Sequence, residues 1–208
     1  LIPGPPTQLL LGGSFTQGIE LLSSHASYEG ALFVDPRTVG NDTALLQEFQ
    51  RLFPLVRKEK FVFMVESLYP PIYNGSYPYT SDVERAILMM NEFFFAAAQQ
   101  TLLQETIHHG TAVYAYEFVV PPAIHGSDIP YTFYNGPTPS VDAPVAAIIQ
   151  HAIAGFAKNG VPDKRPLGIG SWPRYGSNAT TLNLNINSSV VYSDITWNNR
   201  TKSWAEIL

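Results

Sequence analysis

The longest periodic stretch of the chain covers residues 81–109. There Ala86, Met89, Met90, Phe93, Ala97 and Leu102 recur at roughly helical spacing and predict one long helix. Ser81 and Glu84 stand ahead of it at the spacing of a capping box. Gly110 supplies a stop, and His108 and His109 occupy the last turn, where a cation opposes the helix dipole. A second helix is expected over 142–158, with Pro144 in its first turn and Gly160 after it. A third, capped by Asp42 or Thr43, is expected to run to about Leu52, with Leu45, Leu46, Phe49 and Phe53 on one face. Residues 112–120 are apolar on both faces, as in a central strand of a covered, mostly parallel sheet, and Pro121-Pro122 ends the run. Such a strand needs neighbours on both sides, and the chain offers few strands to supply them. Residues 19–22 are a short strand candidate, and 182–186 with 190–192 frame Asn187-Ser188 as a terminal hairpin would. Residues 61–68 suit a strand or a helix equally, and 1–17, with Pro and Gly at turn positions, read as loop. There is no internal repeat, so the pattern describes one α/β domain or one portion of such a domain.

Composition narrows the class. Charged residues make up only 14% of the 208, so much of the chain is expected to be buried against something. A net charge of -5 argues against a nucleic-acid surface. No apolar stretch reaches the roughly 20 residues that span a bilayer; the best, 86–103, is interrupted by Asn91, Glu92, Gln99 and Gln100. With no cysteine there is neither a disulfide framework nor a thiolate metal site. Asn41, Asn74, Asn178, Asn187 and Asn199 each begin an Asn-x-Ser/Thr sequon. That excess favours a secreted, glycosylated protein over the plainer reading that Asn and Ser simply suit surface turns. The opening Leu1-Ile2-Pro3-Gly4-Pro5-Pro6 has no initiator Met and no signal-peptide core, and reads as a segment of a longer precursor exposed by cleavage.

Two loops carry candidate chemistry. Glu29 follows a strand candidate and precedes Gly30-Ala31-Leu32-Phe33, with Gly30 easing a tight turn. His125 follows the central strand on a loop bounded by Pro122 and Gly126. Open sheets bind ligands at the carboxyl ends of their strands. A carboxylate and an imidazole there can supply the acid and base of a hydrolytic triad, the carboxylate fixing the tautomer of the base. The chain contains no Gly-x-Ser-x-Gly, so the nucleophile would sit upstream on another polypeptide. Taken singly, each residue is an ordinary loop side chain. Asp128 reads as structural, a short carboxylate tying down its loop. His108 and His109 read as helix-end residues and His151 as packing or surface. No spacing among the histidines and acids supports a metal site.

The chain as a whole resembles the C-terminal part of a type-B carboxylesterase, the family of fungal lipases, carboxylesterases and cholinesterases. Its acid motif is matched by Tyr28-Glu29-Gly30-Ala31-Leu32-Phe33, and its histidine motif by Tyr116-Glu117-Phe118 through His125-Gly126-Ser127-Asp128 to Phe133. Later landmarks match Phe156 to Pro162, Trp172-Pro173-Arg174-Tyr175, and Asn199-Arg200-Thr201 with Trp204. Tyr28 replaces the usual Asp, Thr201 stands where many relatives have cysteine, and His25 has no family role. The resemblance implies an α/β-hydrolase fold: a mostly parallel central sheet flanked by helices, with a terminal hairpin. It implies a Ser-Glu-His triad with Glu29 and His125 as acid and base, no cofactor and no metal. Its serine and oxyanion loop would belong to an N-terminal chain of the same precursor, and the substrate would be a small ester. Phe133 and Tyr134 are candidates for an acyl or alcohol pocket. The alternatives are a non-catalytic binding protein on the same scaffold and an acyltransferase.

Overall fold

A computed structural model of the chain describes residues 3–163, 172–186 and 189–207. Four strands form one sheet in the order β1 (Leu21–Ala26), β2 (Val113–Phe118), β3 (Thr180–Leu184) and β4 (Val190–Ser193). The first three are parallel, and β4 closes an antiparallel hairpin with β3. Every residue of β2 is buried, as its two-sided apolar pattern requires. Its neighbours β1 and β3 both come from this chain, so the few strands it offers suffice to flank β2. Among the described strands β1 and β4 are the two edges, and β1 is the edge on the parallel side. β1 also begins later than the 19–22 expected. Pairing of Leu21 with Val113 through Ala26 with Phe118 carries it across Ser23, Ser24 and His25, where tertiary pairing overrides weak local propensity.

The helices are α1 (Pro6–Leu11), α2 (Asp42–Leu52), α3 (Lys58–Phe63), α4 (Asp82–Asn91), α5 (Ala97–His108), α6 (Ile129–Thr132), α7 (Ala143–Asn159) and α8 (Asn199–Ala205). The 1–17 segment is not all loop. Pro6 sits in the first turn of α1, where its fixed φ and missing N–H cost nothing. Residues 61–68 are helical, α3 passing into a π-helical turn (Met64–Leu68). Phe61, Met64 and Val65 bury at helical spacing, and Pro70-Pro71 follows the end. α2 is capped one residue earlier than expected. Asn41 accepts from Ala44 N–H at 3.0 Å, which frees Asp42 to bind Arg85 at 2.6 Å.

The long helix expected over 81–109 exists as α4, a π-helical turn (Glu92–Ala96) and α5 in unbroken succession. Only half of its capping box forms. Ser81 Oγ accepts from Glu84 N–H at 3.3 Å, but the Glu84 carboxylate accepts from Thr80 N–H and Oγ1 at 2.7 Å instead of from Ser81.

Three apolar clusters position the rest. α7 covers one sheet face with Val145, Ile149 and Ala152 against Tyr114, Tyr116, Phe118, Leu182 and Leu184. Leu103 of α5 meets Val113, Ala115 and Tyr175 on the other face. A helical cluster of Phe49, Phe61, Met64, Phe93 and Trp204 lies apart from the sheet. α8 ties into it through a buried polar network. Arg200 grips Glu92 with two bonds of 2.7 Å, Asn198 donates to Glu92 at 2.9 Å, and Trp204 Nε1–H donates to Tyr69 at 2.8 Å. That network accounts for the spacing of Arg200 and Trp204.

Candidate active site

β1 and β2 are adjacent and parallel, so the segments after Ala26 and after Phe118 leave the sheet side by side at its carboxyl edge. Two backbone bonds join them. Ser27 N–H donates to Phe118 C=O at 3.0 Å, and Tyr28 N–H donates to Ala123 C=O at 2.9 Å. Ala123 itself is held at φ 51°, a left-handed conformation that a non-glycine residue adopts only under constraint. Gly126, just past the histidine, has φ 81° and suits this position because it lacks a Cβ.

On this frame Glu29 and His125 meet. Glu29 is only 8% exposed. Its Oε1 accepts from Ala26 N–H at 2.9 Å, and its Oε2 lies 3.7 Å from His125 Nδ1. That separation is longer than a hydrogen bond and within ion-pair reach; catalytic contacts in unliganded sites tighten when substrate binds. The His125 side chain is 51% exposed. Its ring is flanked by Phe95, tilted 33° at 4.9 Å between centroids, and by the edge of Phe33 at 5.5 Å. With Nδ1 turned to the carboxylate, Nε2 is the nitrogen left to serve as base.

Gly30 does something other than ease a turn. A Cβ there would come within 2.3 Å of Ile87 O and 2.4 Å of Asn91 N, so the acid loop lies directly on the α4 backbone. Gly30 N–H also donates to Asn91 Oδ1 at 3.3 Å. Gly30→Ala is therefore expected to push the loop off α4 and destabilise the fold by about 1–3 kcal/mol. Thermal denaturation checks this, and an unchanged midpoint would refute the close approach.

Other expected residues fall elsewhere. Phe133 is 76% exposed beyond α6, and Tyr134 packs against the α7 core. Asp128 makes no side-chain cap; its backbone C=O accepts from Tyr131 and Thr132 instead. His108 and His151 are exposed, and His109 meets Phe15 edge-on at 5.2 Å. Asn41, Asn74, Asn178 and Asn199 are exposed, while Asn187 lies outside the described residues. Of the landmarks, Trp172 and Tyr175 are buried. Among the described residues no group of three His, Cys, Asp or Glu could hold a metal, and no helix is long and apolar enough to cross a membrane.

Sequence reasoning missed Asn91 and Phe95. The only signal was a polar residue on the buried face of a helix, followed by three phenylalanines. It also left His25 without a role. That side chain is 6% exposed, with Nε2 3.7 Å from Glu117 Oε1 and neither ring nitrogen hydrogen-bonded. The Glu117 carboxylate accepts the Tyr192 hydroxyl from β4. Burial and that carboxylate push the Tyr192 hydroxyl well above its usual range.

Comparison with known proteins identifies the family and the fold. The carboxylesterase family model matches residues 5–204. Carboxylesterase patB of Penicillium expansum is 31% identical over 208 residues, and patB of Aspergillus clavatus is 30% identical. Each alignment covers 99% of this chain and 36% of the relative, so the chain spans about a third of those proteins. Among solved structures, Aspergillus niger EstA superposes with a TM-score of 0.77 at 13% identity, covering 99% of this chain and 42% of that one. Geobacillus stearothermophilus carboxylesterase EST55 gives 0.67 at 20% identity, covering 96% and 43%. Both likenesses show the fold, that of an α/β-hydrolase.

Proposed function

This chain belongs to the carboxylesterase family, and from that we propose that it is the C-terminal portion of one α/β-hydrolase domain and supplies the acid and base of an ester hydrolase. The observation that carries the reading is the Glu29 Oε2 to His125 Nδ1 contact of 3.7 Å on two loops bonded to each other. In this reading an upstream chain of the same precursor contributes the serine and the oxyanion donors, beside β1, an edge of the sheet among the described residues.

His125 Nε2 takes the proton of that serine as its oxygen attacks the ester carbonyl. It returns the proton to the departing alcohol, then activates the water that releases the acid. Glu29 keeps the proton of the resting imidazole on Nδ1 and stabilises the imidazolium that forms. Phe133, exposed beyond α6, is the candidate left to offer apolar surface to the acyl or alcohol group, since Tyr134 packs against the α7 core. The protein is secreted and carries glycans at Asn41, Asn74, Asn178, Asn187 and Asn199.

The test is to treat the native protein with a serine-reactive phosphonate and map the adduct by peptide mass spectrometry. The label is expected on a serine outside these 208 residues, and the same map should show glycan mass on the sequon peptides. A label on a serine of this chain would overturn the split triad. No label anywhere would favour a non-catalytic binding protein, and bare sequon peptides would refute glycosylation.

A further inference from the structure

The helix behind the acid loop is not α-helical throughout. Between α4 and α5 the Glu92–Ala96 turn is π-helical, a form that admits one extra residue and occurs often at functional sites. It holds three consecutive phenylalanines with three different fates. Phe93 turns into the helical core, 4.9 Å from Trp204 between ring centroids and 5.9 Å from Phe49. Phe94 is 42% exposed and meets Phe33 at 5.1 Å. Phe95 lies against the imidazole of His125 at 4.9 Å with a 33° tilt, and also meets Phe33 at 5.2 Å. The helix then resumes with Ala97, Gln100 and Thr101 buried.

His125 needs such a neighbour. It sits on a loop with half its side chain exposed, and Glu29 touches only one of its ring nitrogens. A carboxylate contact at one edge does not fix the plane of the ring. An aromatic face against the imidazole does, and it leaves both nitrogens free for proton transfer. When the imidazole becomes a cation during the reaction, the ring face also stabilises that charge. Phe33 meets the imidazole edge-on and limits rotation from a second side.

We infer that Phe95, placed by the π-helical turn, is a positioning residue that holds the plane of the His125 imidazole for proton transfer; this rests on the assignment of His125 as the base. Phe95 acts on the rate of the chemical step and leaves substrate affinity alone.

The experiment uses the complete active protein, comparing Phe95→Leu, Phe95→Tyr and His125→Ala. Active sites are counted by phosphonate titration so that rates refer to folded enzyme. Phe95→Leu, which keeps bulk and loses the ring, is expected to lower kcat by about 3- to 10-fold with KM changed less than about twofold. Phe95→Tyr, which keeps the ring face, is expected to restore most of kcat. An unchanged kcat per titrated site in Phe95→Leu would overturn the inference, as would a Phe95→Tyr variant as slow as the leucine one. If His125→Ala keeps full activity, the assignment of the base falls and this inference falls with it. If His125→Ala is inactive while Phe95→Leu is unaffected, only the role of Phe95 is refuted.

Discussion

His125→Ala, made in the complete protein, is expected to lower kcat by about 10⁴-fold or more while leaving the fold intact. The size follows from what is removed. No other histidine among the described residues can take over proton transfer: His25 is buried against Glu117, and His108, His109 and His151 lie on or at the end of helices away from the two loops. The serine hydroxyl would then have to lose its proton to water. The fold is expected to survive because the His125 side chain is half exposed and its backbone placement depends on Ala123 and Gly126. Steady-state kinetics with a chromogenic ester, beside a thermal denaturation curve, checks both halves. A loss of less than tenfold would reassign the base.

Glu29→Gln is expected to cost less, on the order of 10³-fold in kcat, with little change in KM. The reason lies in how the carboxylate is held. Ala26 N–H donates to Oε1 and requires an oxygen there. The amide oxygen of a glutamine must take that place, which turns its NH₂ toward His125 Nδ1. The NH₂ can only donate, so Nδ1 becomes an acceptor and the imidazole proton moves to Nε2, the nitrogen that must receive the serine proton. The base is then in the wrong tautomer although nothing has moved. Because the amide side chain has nearly the shape of the carboxylate it replaces, the denaturation midpoint is expected to stay near that of the parent. A kcat within tenfold of the parent would show that Glu29 does not orient His125.

The parts of this molecule that could be read from sequence are those where local pattern and tertiary role coincide. The two-sided apolar run of β2, the amphipathic stripe of α4, and Pro144 and Gly160 bracketing α7 each declare their element without help from elsewhere. β1 could not be delimited. Its Ser23, Ser24 and His25 carry no strand signal, and they are extended because β2 pairs with them. The 61–68 segment was ambiguous because β-branched and aromatic residues suit a strand, while its burial follows a helical period that only the neighbouring Phe49 and Trp204 make visible.

At the site, Glu29 and His125 were found because each follows a strand and the pair stands in the order of a known family. What holds them was not legible. Asn91 beneath Gly30, the Tyr28 to Ala123 backbone bond and Phe95 against the imidazole depend on segments far apart in the chain. A glycine beside the acid looked like a turn former, and only the α4 backbone against it shows that the requirement is space.

The measurement that bears most directly on the shared role of Glu29 and His125 is a double-mutant cycle on kcat. If the carboxylate acts only through the imidazole, removing it matters only while the imidazole is present. Glu29→Gln/His125→Ala is therefore expected to be as slow as His125→Ala alone, within about threefold. A double variant slower by the full product of the two single losses would show that Glu29 acts independently of His125.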